Sequence, residues 1–540
     1  MVLRNPAARP RSDPSGFALE QAVAALRSGE PAEAERVLRA RLLADPHDSA
    51  ALAKLAEIVR DQGRPPEAVL LFHRALQADP GMHSLRIALA RLLNEQGQPQ
   101  LALEQVEQLP QPVRTTFDVQ ALEAALLGRL GRHEGEIAIY EQLVTLRPDA
   151  PALWNSLGNA LKYRGRTDDA VRALRRSVAV RPGFGEGWWS LANVKTVRFD
   201  GSDLSRMRKA LAAKPADEDA VHLHFALGKA LEDRKEYERS FRHYSEGNRI
   251  RAASFRPDQM QATAFVDRAI AAFDAALFDR LGGAGAPAPD PVFIVGLQRS
   301  GSTLVEQILA SHPSIEGTSE LLVMQQLWSE LARESEAAGR SIWSDLPEIA
   351  AGRLRQLGSD YIERTRQFRR TGRPCFIDKL PANWMNVGLI RLALPNAKIV
   401  DARRHPMACG FSNFKQHYAT GVAFAYSQRS IGTFYADYLR LMRHLDGVQP
   451  GAVHHILNER LIEDPEGEVR RLLEFVGVPF DAACLEFHRN RRPVATPSAE
   501  QVRRPINRDG VDHWRHYEPW LGPLKQALGT ALHDWDKPSR

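Results

Sequence analysis

The stretch PVFIVGLQRSGSTLVEQILASHP, residues 291–313, decides the fold of the C-terminal half of this 540-residue chain. Residues 292–295 are a short apolar run, the length and composition of a strand buried on both faces. The run leads into GLQRSGST (296–303), a loop bounded by glycines and rich in hydroxyls. An amphipathic helix then begins, with Leu304, Ile308 and Leu309 on one face. A strand that passes through such a loop into a helix presents backbone N–H groups and the positive end of a helix dipole to one point, which suits a phosphate.

The spacing G-x-x-x-x-G matches a nucleoside-triphosphate P-loop, but the lysine of G-K-[ST] is absent. Ser302 stands in its place, and the cation of the loop is Arg299. With its preceding strand, Gln298-Arg299-Ser300-Gly301-Ser302-Thr303 resembles the 5′-phosphosulfate loop of the PAPS-dependent sulfotransferases, with Gln298 replacing the usual proline. The resemblance implies that PAPS, the phosphorylated adenosine sulfate donor, sits on Arg299, Ser300, Gly301, Ser302 and Thr303. A phosphosulfate can be held by arginine and backbone amides without a metal ion, and none is expected.

Downstream, further short apolar runs at 375–377, 398–400 and 452–457 alternate with helical patterns. This predicts a three-layer α/β, P-loop-like domain with a mainly parallel sheet over 291–540. After the third of these four strands, Arg404 and Ser412 lie eight residues apart, about two helical turns, so both can face one phosphate. They resemble the family's 3′-phosphate pair. Lys379, set directly after an apolar strand, resembles the lysine that neutralises the bridging oxygen. Glu320 lies 21 residues beyond Arg299, the spacing of the catalytic base in protein-tyrosine sulfotransferases; a glutamate capping a helix over 321–332 is the other reading of this residue. Ser498 and Arg508 resemble further donor contacts, and Trp514 a neighbour of the adenine. Leu322 and Asn458 depart from the tyrosine enzymes, which carry Arg and Tyr there.

Upstream, Gly29, Gly63, Gly97, Gly131 and Gly165 recur at intervals of 34 residues, and Ala34, Ala68, Ala102 and Ala170 share that register, broken once by Glu136. Within 151–182, apolar spacings of three and four mark two amphipathic helices joined at Gly165. This resembles the tetratricopeptide repeat, with its W-x-x-L-G start, central Ala and closing Pro. The expected architecture is therefore α + α/β. A flexible N-terminus (1–16) precedes an all-α repeat superhelix (17–255), and a connecting helix with a Gly/Ala/Pro linker (256–290) leads to the sulfotransferase-like domain (291–540).

A net charge of +6 over 540 residues is a weak global field. No helix concentrates Arg and Lys with interleaved aromatics, so nucleic acid is not expected as a partner. No apolar run is long enough to span a membrane. Three scattered cysteines and no visible secretory signal point to a cytoplasmic protein. The reading is a sulfotransferase whose repeat groove presents a protein or peptide acceptor. Two alternatives stay open: a non-catalytic repeat scaffold with a degenerate domain, and a P-loop kinase or NTPase using Asp401 at a strand end. Acceptor identity and oligomeric state stay open too.

Overall fold

The computed structural model describes residues 14–194, 196–260, 262–418, 422–490, 492, 494, 496, 501–508 and 510–537. The expected flexible N-terminus therefore lies, up to residue 13, outside the described residues. The chain forms two compact units, Met1–Arg147 and Pro148–Arg540.

The 34-residue glycines have one structural job in both units. Gly29, Gly63, Gly97, Gly131 and Gly165 have φ between 65° and 80°, the left-handed region that residues with a Cβ avoid. After each, the next N–H reaches five residues back, as from Arg64 to the Val59 carbonyl at 3.0 Å and from Arg166 to that of Leu161 at 3.0 Å. This closes the helix and reverses the chain. Pro31, Pro65 and Pro99 open the following helices, where a missing N–H costs nothing.

The central alanines Ala34, Ala68, Ala102 and Ala170 are fully buried. The repeat that carries Glu136 instead has His133 where the three before it have proline, and His133 Nδ1 lies 2.8 Å from Glu136 Oε2. Its carboxylate also sits over Gly128, whose missing Cβ leaves the room. One irregularity in the register thus explains the other.

The second unit begins with the repeat Pro151–Tyr163 and Thr167–Val180, continues through the helices Gly185–Ala192, Gly201–Ala212, Asp217–Asp233 and Tyr237–Ala252, and then forms the sheet. The strands are β1 (Pro291–Gly296), β2 (Ile315–Gly317), β3 (Cys375–Lys379), β4 (Lys398–Arg403) and β5 (Val453–Leu457). Their order is β2-β3-β1-β4-β5, all parallel. β2, only three residues long, carried no visible sequence pattern.

Strand β1 is buried at every residue. Phe293 and Val295 join one core with Ile399, Trp384 and the repeat residues Trp188 and Phe225. Val292 and Ile294 join a second core with Ile308, Leu309, Ile377 and Val400. Apolar cover on both faces makes the three layers. The repeat helices from Leu174 onward belong to the first of these cores. Strands β2 and β3 are added on one side of β1 and β4 and β5 on the other, so ligands are expected outside its carboxyl end, between β3 and β4.

Candidate active site at the carboxyl edge of the sheet

Gly296 ends β1 at φ 131°, and a Cβ there would lie 2.4 Å from the Ala402 carbonyl on β4. Glycine alone permits that approach. In the loop, Arg299 holds φ 69° and Gly301 φ 100°, and the Ser302–Ala310 helix begins directly after. A left-handed arginine costs about 1–3 kcal/mol and persists only when its surroundings fix it. Arg404 Nη1 donates to the Arg299 carbonyl at 3.2 Å, Asn413 Nδ2 to the Gln298 carbonyl at 2.7 Å, and Arg299 Nε to Ser412 Oγ at 3.0 Å. The first N–H groups of the helix lack intrahelical acceptors and point out of its N-terminus.

Arg403 and Arg404 divide the work at the end of β4. Arg403 is buried against Asp401, with Nε 2.8 Å from Oδ2. Asp401 also takes the Tyr438 hydroxyl and the His455 ring. Burial alone would raise the Asp401 carboxyl, yet the Arg403 charge and these hydrogen bonds hold it below its ordinary value. Asp401 is fully buried in this network and is not among the residues that line the cleft. That removes the acidic strand end on which the NTPase reading rested. Arg404 instead faces the cleft. Burial, reinforced by the Arg299 charge, pushes its guanidinium below the ordinary value. Its buried Nε has no hydrogen-bond partner among the described residues, a donor that calls for an explanation.

Lys379, at the end of β3, is 1% exposed. Its Nζ lies 2.5 Å from Glu320 Oε1 and 3.9 Å from Glu306 Oε2. Glu306 is in turn 2.5 Å from Arg492. The next helix starts at Val323 and takes no side-chain cap, so Glu320 does not cap it; its carboxylate is on Lys379. Beside Lys379, Asp378 is completely buried. Burial drives its carboxyl up to about 7, against the Tyr361 hydroxyl, the Leu321 N–H and the Lys379 charge. One strand end thus holds both the backbone after Glu320 and its carboxylate.

These groups line a cleft of about 860 Å³, large enough for a nucleotide together with part of a second substrate. Arg299, Gly301, Ser302, Thr303, Glu320, Lys379, Arg404 and Ser412 all face it, as do Asn458 and Trp514. Trp514 stacks on His405 at 5.6 Å. Ser300, in the loop itself, is buried, and its Oγ has no hydrogen-bond partner among the described residues. Arg508 is exposed and is not among the lining residues: the turn closed by the Val511 N–H on the Arg508 carbonyl places Asn507 and Gly510 there instead. Ser498 lies outside the described residues.

Several site residues escaped the sequence reading. Glu306 and Arg492 pair across 186 positions of chain, with no local signal. Asp378 did leave one, an acid that directly follows the apolar run 375–377 within β3. The helical region before the sheet also reaches the cleft, through Tyr163, Thr196, Arg198, Lys229 and Glu232. Glu232 receives Lys415 Nζ at 2.9 Å and the Tyr244 and Tyr517 hydroxyls, each at 3.2 Å. Among the described residues, no group of three or more His, Cys, Asp or Glu is placed to hold a metal ion, and no helix is long and apolar enough to cross a membrane.

Residues 291–482, which carry the loop, Glu320, Lys379, Arg404 and Ser412, match the sulfotransferase family. This part of the chain is a sulfotransferase-family domain. Residues 19–83, 59–126 and 155–194 match the tetratricopeptide repeat, so the sulfotransferase domain follows a tetratricopeptide array. An uncharacterized protein of Aquifex aeolicus (strain VF5) is 32% identical over 320 residues, which span 58% of this chain but only 42% of that protein. Protein-tyrosine sulfotransferase 1 of Danio rerio is 26% identical over 274 residues, covering 45% of this chain and 72% of its own. Among solved structures, the sulfotransferase domain from the Synechococcus PCC 7002 olefin synthase aligns with a TM-score of 0.33 at 21% identity, over 46% of this chain and 96% of its own.

Proposed function

We propose that the chain transfers the sulfuryl group of PAPS to an acceptor hydroxyl, and that the acceptor is a tyrosine of a protein or peptide brought in by the repeat helices. The Lys379–Glu320 pair at the mouth of the phosphate loop carries this reading. The acceptor oxygen attacks sulfur and forms the new O–S bond while its proton passes to the Glu320 carboxylate. The S–O bond to the bridging oxygen breaks, and its electron pair leaves on adenosine 3′,5′-bisphosphate. Lys379 and Arg299 stabilise the charge that develops on that oxygen and on the sulfuryl group, in a buried site where such contacts are strong. Arg404, with its open Nε, and Ser412 receive a donor phosphate. The tyrosine acceptor is supported by the position of Glu320 and by the repeat residues in the cleft.

The test is turnover of sulfur-labelled PAPS in a lysate by wild type and by Arg299→Ala, with the label followed into protein, glycan and lipid. Label in protein with wild type and its loss with the variant are expected. Equal labelling by both proteins overturns the assignment of the loop, and label confined to glycan or lipid overturns the protein acceptor.

A further inference from the structure

Next to the cleft is a recess of about 30 Å³ in which Lys229, Arg299, Ser412 and Lys415 face Trp189, Tyr244, Ala192 and Gln416. The first four of these residues also line the larger cleft, so the two spaces adjoin. The recess exceeds the ~10–15 Å³ that one water requires, and it can seat an oxygen or two of a tetrahedral oxyanion whose body lies in the cleft. Three of its lining side chains are cations, and they come from three separate elements. Arg299 is on the donor loop. Lys415 follows the Pro406–Phe414 helix that carries Ser412. Lys229 is on the Asp217–Asp233 helix, in the helical region before the sheet.

Like charges crowd here only because two carboxylates from that same helix offset them. Lys229 Nζ is 2.6 Å from both oxygens of Asp233, and Lys415 Nζ is 2.9 Å from Glu232 Oε1. Burial lowers the Lys415 ammonium against the pull of Glu232, and the Lys229 and Arg299 charges lower it further, so the three cations feel one another. Three cationic side chains, each from a different part of the chain, thus meet a serine hydroxyl at one recess. That is the composition of an oxyanion subsite.

We propose that Lys229, a residue of the helical region before the sheet, binds one phosphate of the donor nucleotide in this recess, so that the donor site is built jointly by that region and the α/β domain. The inference rests on the donor assignment above and deepens it. Lys229 stays paired with Asp233 and supplies its remaining N–H to the phosphate, while Arg299 and Ser412 approach from the other side.

The experiment is calorimetric titration of the full chain with adenosine 3′,5′-bisphosphate, comparing wild type with Lys229→Gln and Asp233→Asn, each checked by thermal melting. Lys229→Gln removes a cation and is expected to weaken binding about tenfold, the scale of one charge-assisted contact. Asp233→Asn unmasks Lys229 and is expected to tighten binding about threefold, one unit charge being worth little more at a wet site. Opposite signs cannot come from general damage to the fold. Lys229→Gln binding within twofold of wild type, or Asp233→Asn weakening binding alongside it, overturns the proposal and leaves the donor assignment standing. If wild type itself does not bind the bisphosphate, both fall.

Discussion

Lys379 Nζ lies 2.5 Å from Glu320 Oε1 with its side chain 2% exposed, whereas that of Glu320 is 48% exposed. The two residues are 59 apart in sequence. The ammonium is fixed in the floor of the cleft by Glu306 behind it, and the carboxylate reaches over it into solvent. This asymmetry fits a stationary electrostatic group and a base open to an incoming acceptor.

Glu320→Gln keeps an oxygen on Lys379 but cannot accept a proton at neutral pH. Turnover is expected to fall by about 10²–10⁴, the usual contribution of a general base. Affinity for adenosine 3′,5′-bisphosphate should stay within about threefold, since the group acts on the acceptor and not on the donor. Turnover of labelled PAPS and calorimetry on one preparation read both quantities. A loss below about tenfold in turnover removes Glu320 from the base role.

Asp378 gives a pH dependence of stability that can be isolated. Its folded-state carboxyl titrates near 7, raised above the ordinary 3.8. Between those values the folded chain holds a proton that the unfolded chain has released, so stability falls as pH rises through that window. The slope approaches 1.4 kcal/mol per pH unit for one proton. Asp378→Asn removes this component. The difference in unfolding free energy between wild type and variant, followed by urea denaturation from pH 4 to 8, should slope across the window and flatten on either side. A difference that does not vary with pH refutes the assignment.

Much of this fold was legible because its signals are local. The 34-residue glycines each end a helix with a left-handed residue, a requirement met by the residue itself. The β1 loop shows its chemistry in eight consecutive positions, and four of the five strands declare themselves as apolar runs. Lys379 and Arg404 stood out as candidates because one ends an apolar strand and the other directly follows one. What stayed hidden was non-local. Ile315–Gly317 is too short to show a period. Glu306 meets Arg492, and Glu232 meets Lys415, only because the sheet and the helices before it bring distant segments together. Arg508 shows the limit of spacing in irregular chain: a turn sets which of its neighbours faces the cleft.

Glu232 should contribute stability with the opposite pH sense. Burial opposes its charge, but Lys415 and His513 hold its carboxyl well below the ordinary 4.5. Its stabilising contribution is therefore complete above the unfolded value and is lost as pH falls toward the folded one. Glu232→Gln leaves Lys415 buried without its counter-charge, at a cost of about 3–5 kcal/mol near neutral pH. The double variant Glu232→Gln with Lys415→Met should recover most of that loss, because the uncompensated charge is gone. Urea denaturation of the three proteins at pH 7 gives the comparison. A double variant no more stable than Glu232→Gln alone shows that the pair is not the source of the loss.

The repeat period divides the chain after residue 255, whereas compactness divides it at Arg147, and these imply different minimal donor-binding fragments. Asn248 Nδ2 donates to the Phe414 carbonyl at 2.8 Å, Phe241 stacks on Phe414 and on Trp520 at 5.6 Å each, and Tyr237 stacks on His516 at 4.6 Å. Phe414 ends the helix that carries Ser412, which in turn holds Arg299. Removing the Asp217–Asp233 and Tyr237–Ala252 helices exposes this aromatic surface and frees the end of that helix. Of the aromatics left behind, Phe414 and Tyr517 are buried, and each forfeits about 1.5–3 kcal/mol when stripped, a sizeable part of the ~5–15 kcal/mol that holds a typical domain. A chain starting at residue 148 is therefore expected to melt cooperatively and to bind adenosine 3′,5′-bisphosphate within about threefold of the full protein. A chain starting at residue 256 should aggregate or fail to bind. Bisphosphate affinity in that shorter chain equal to the full protein's would show that the α/β domain needs no repeat to organise its donor site.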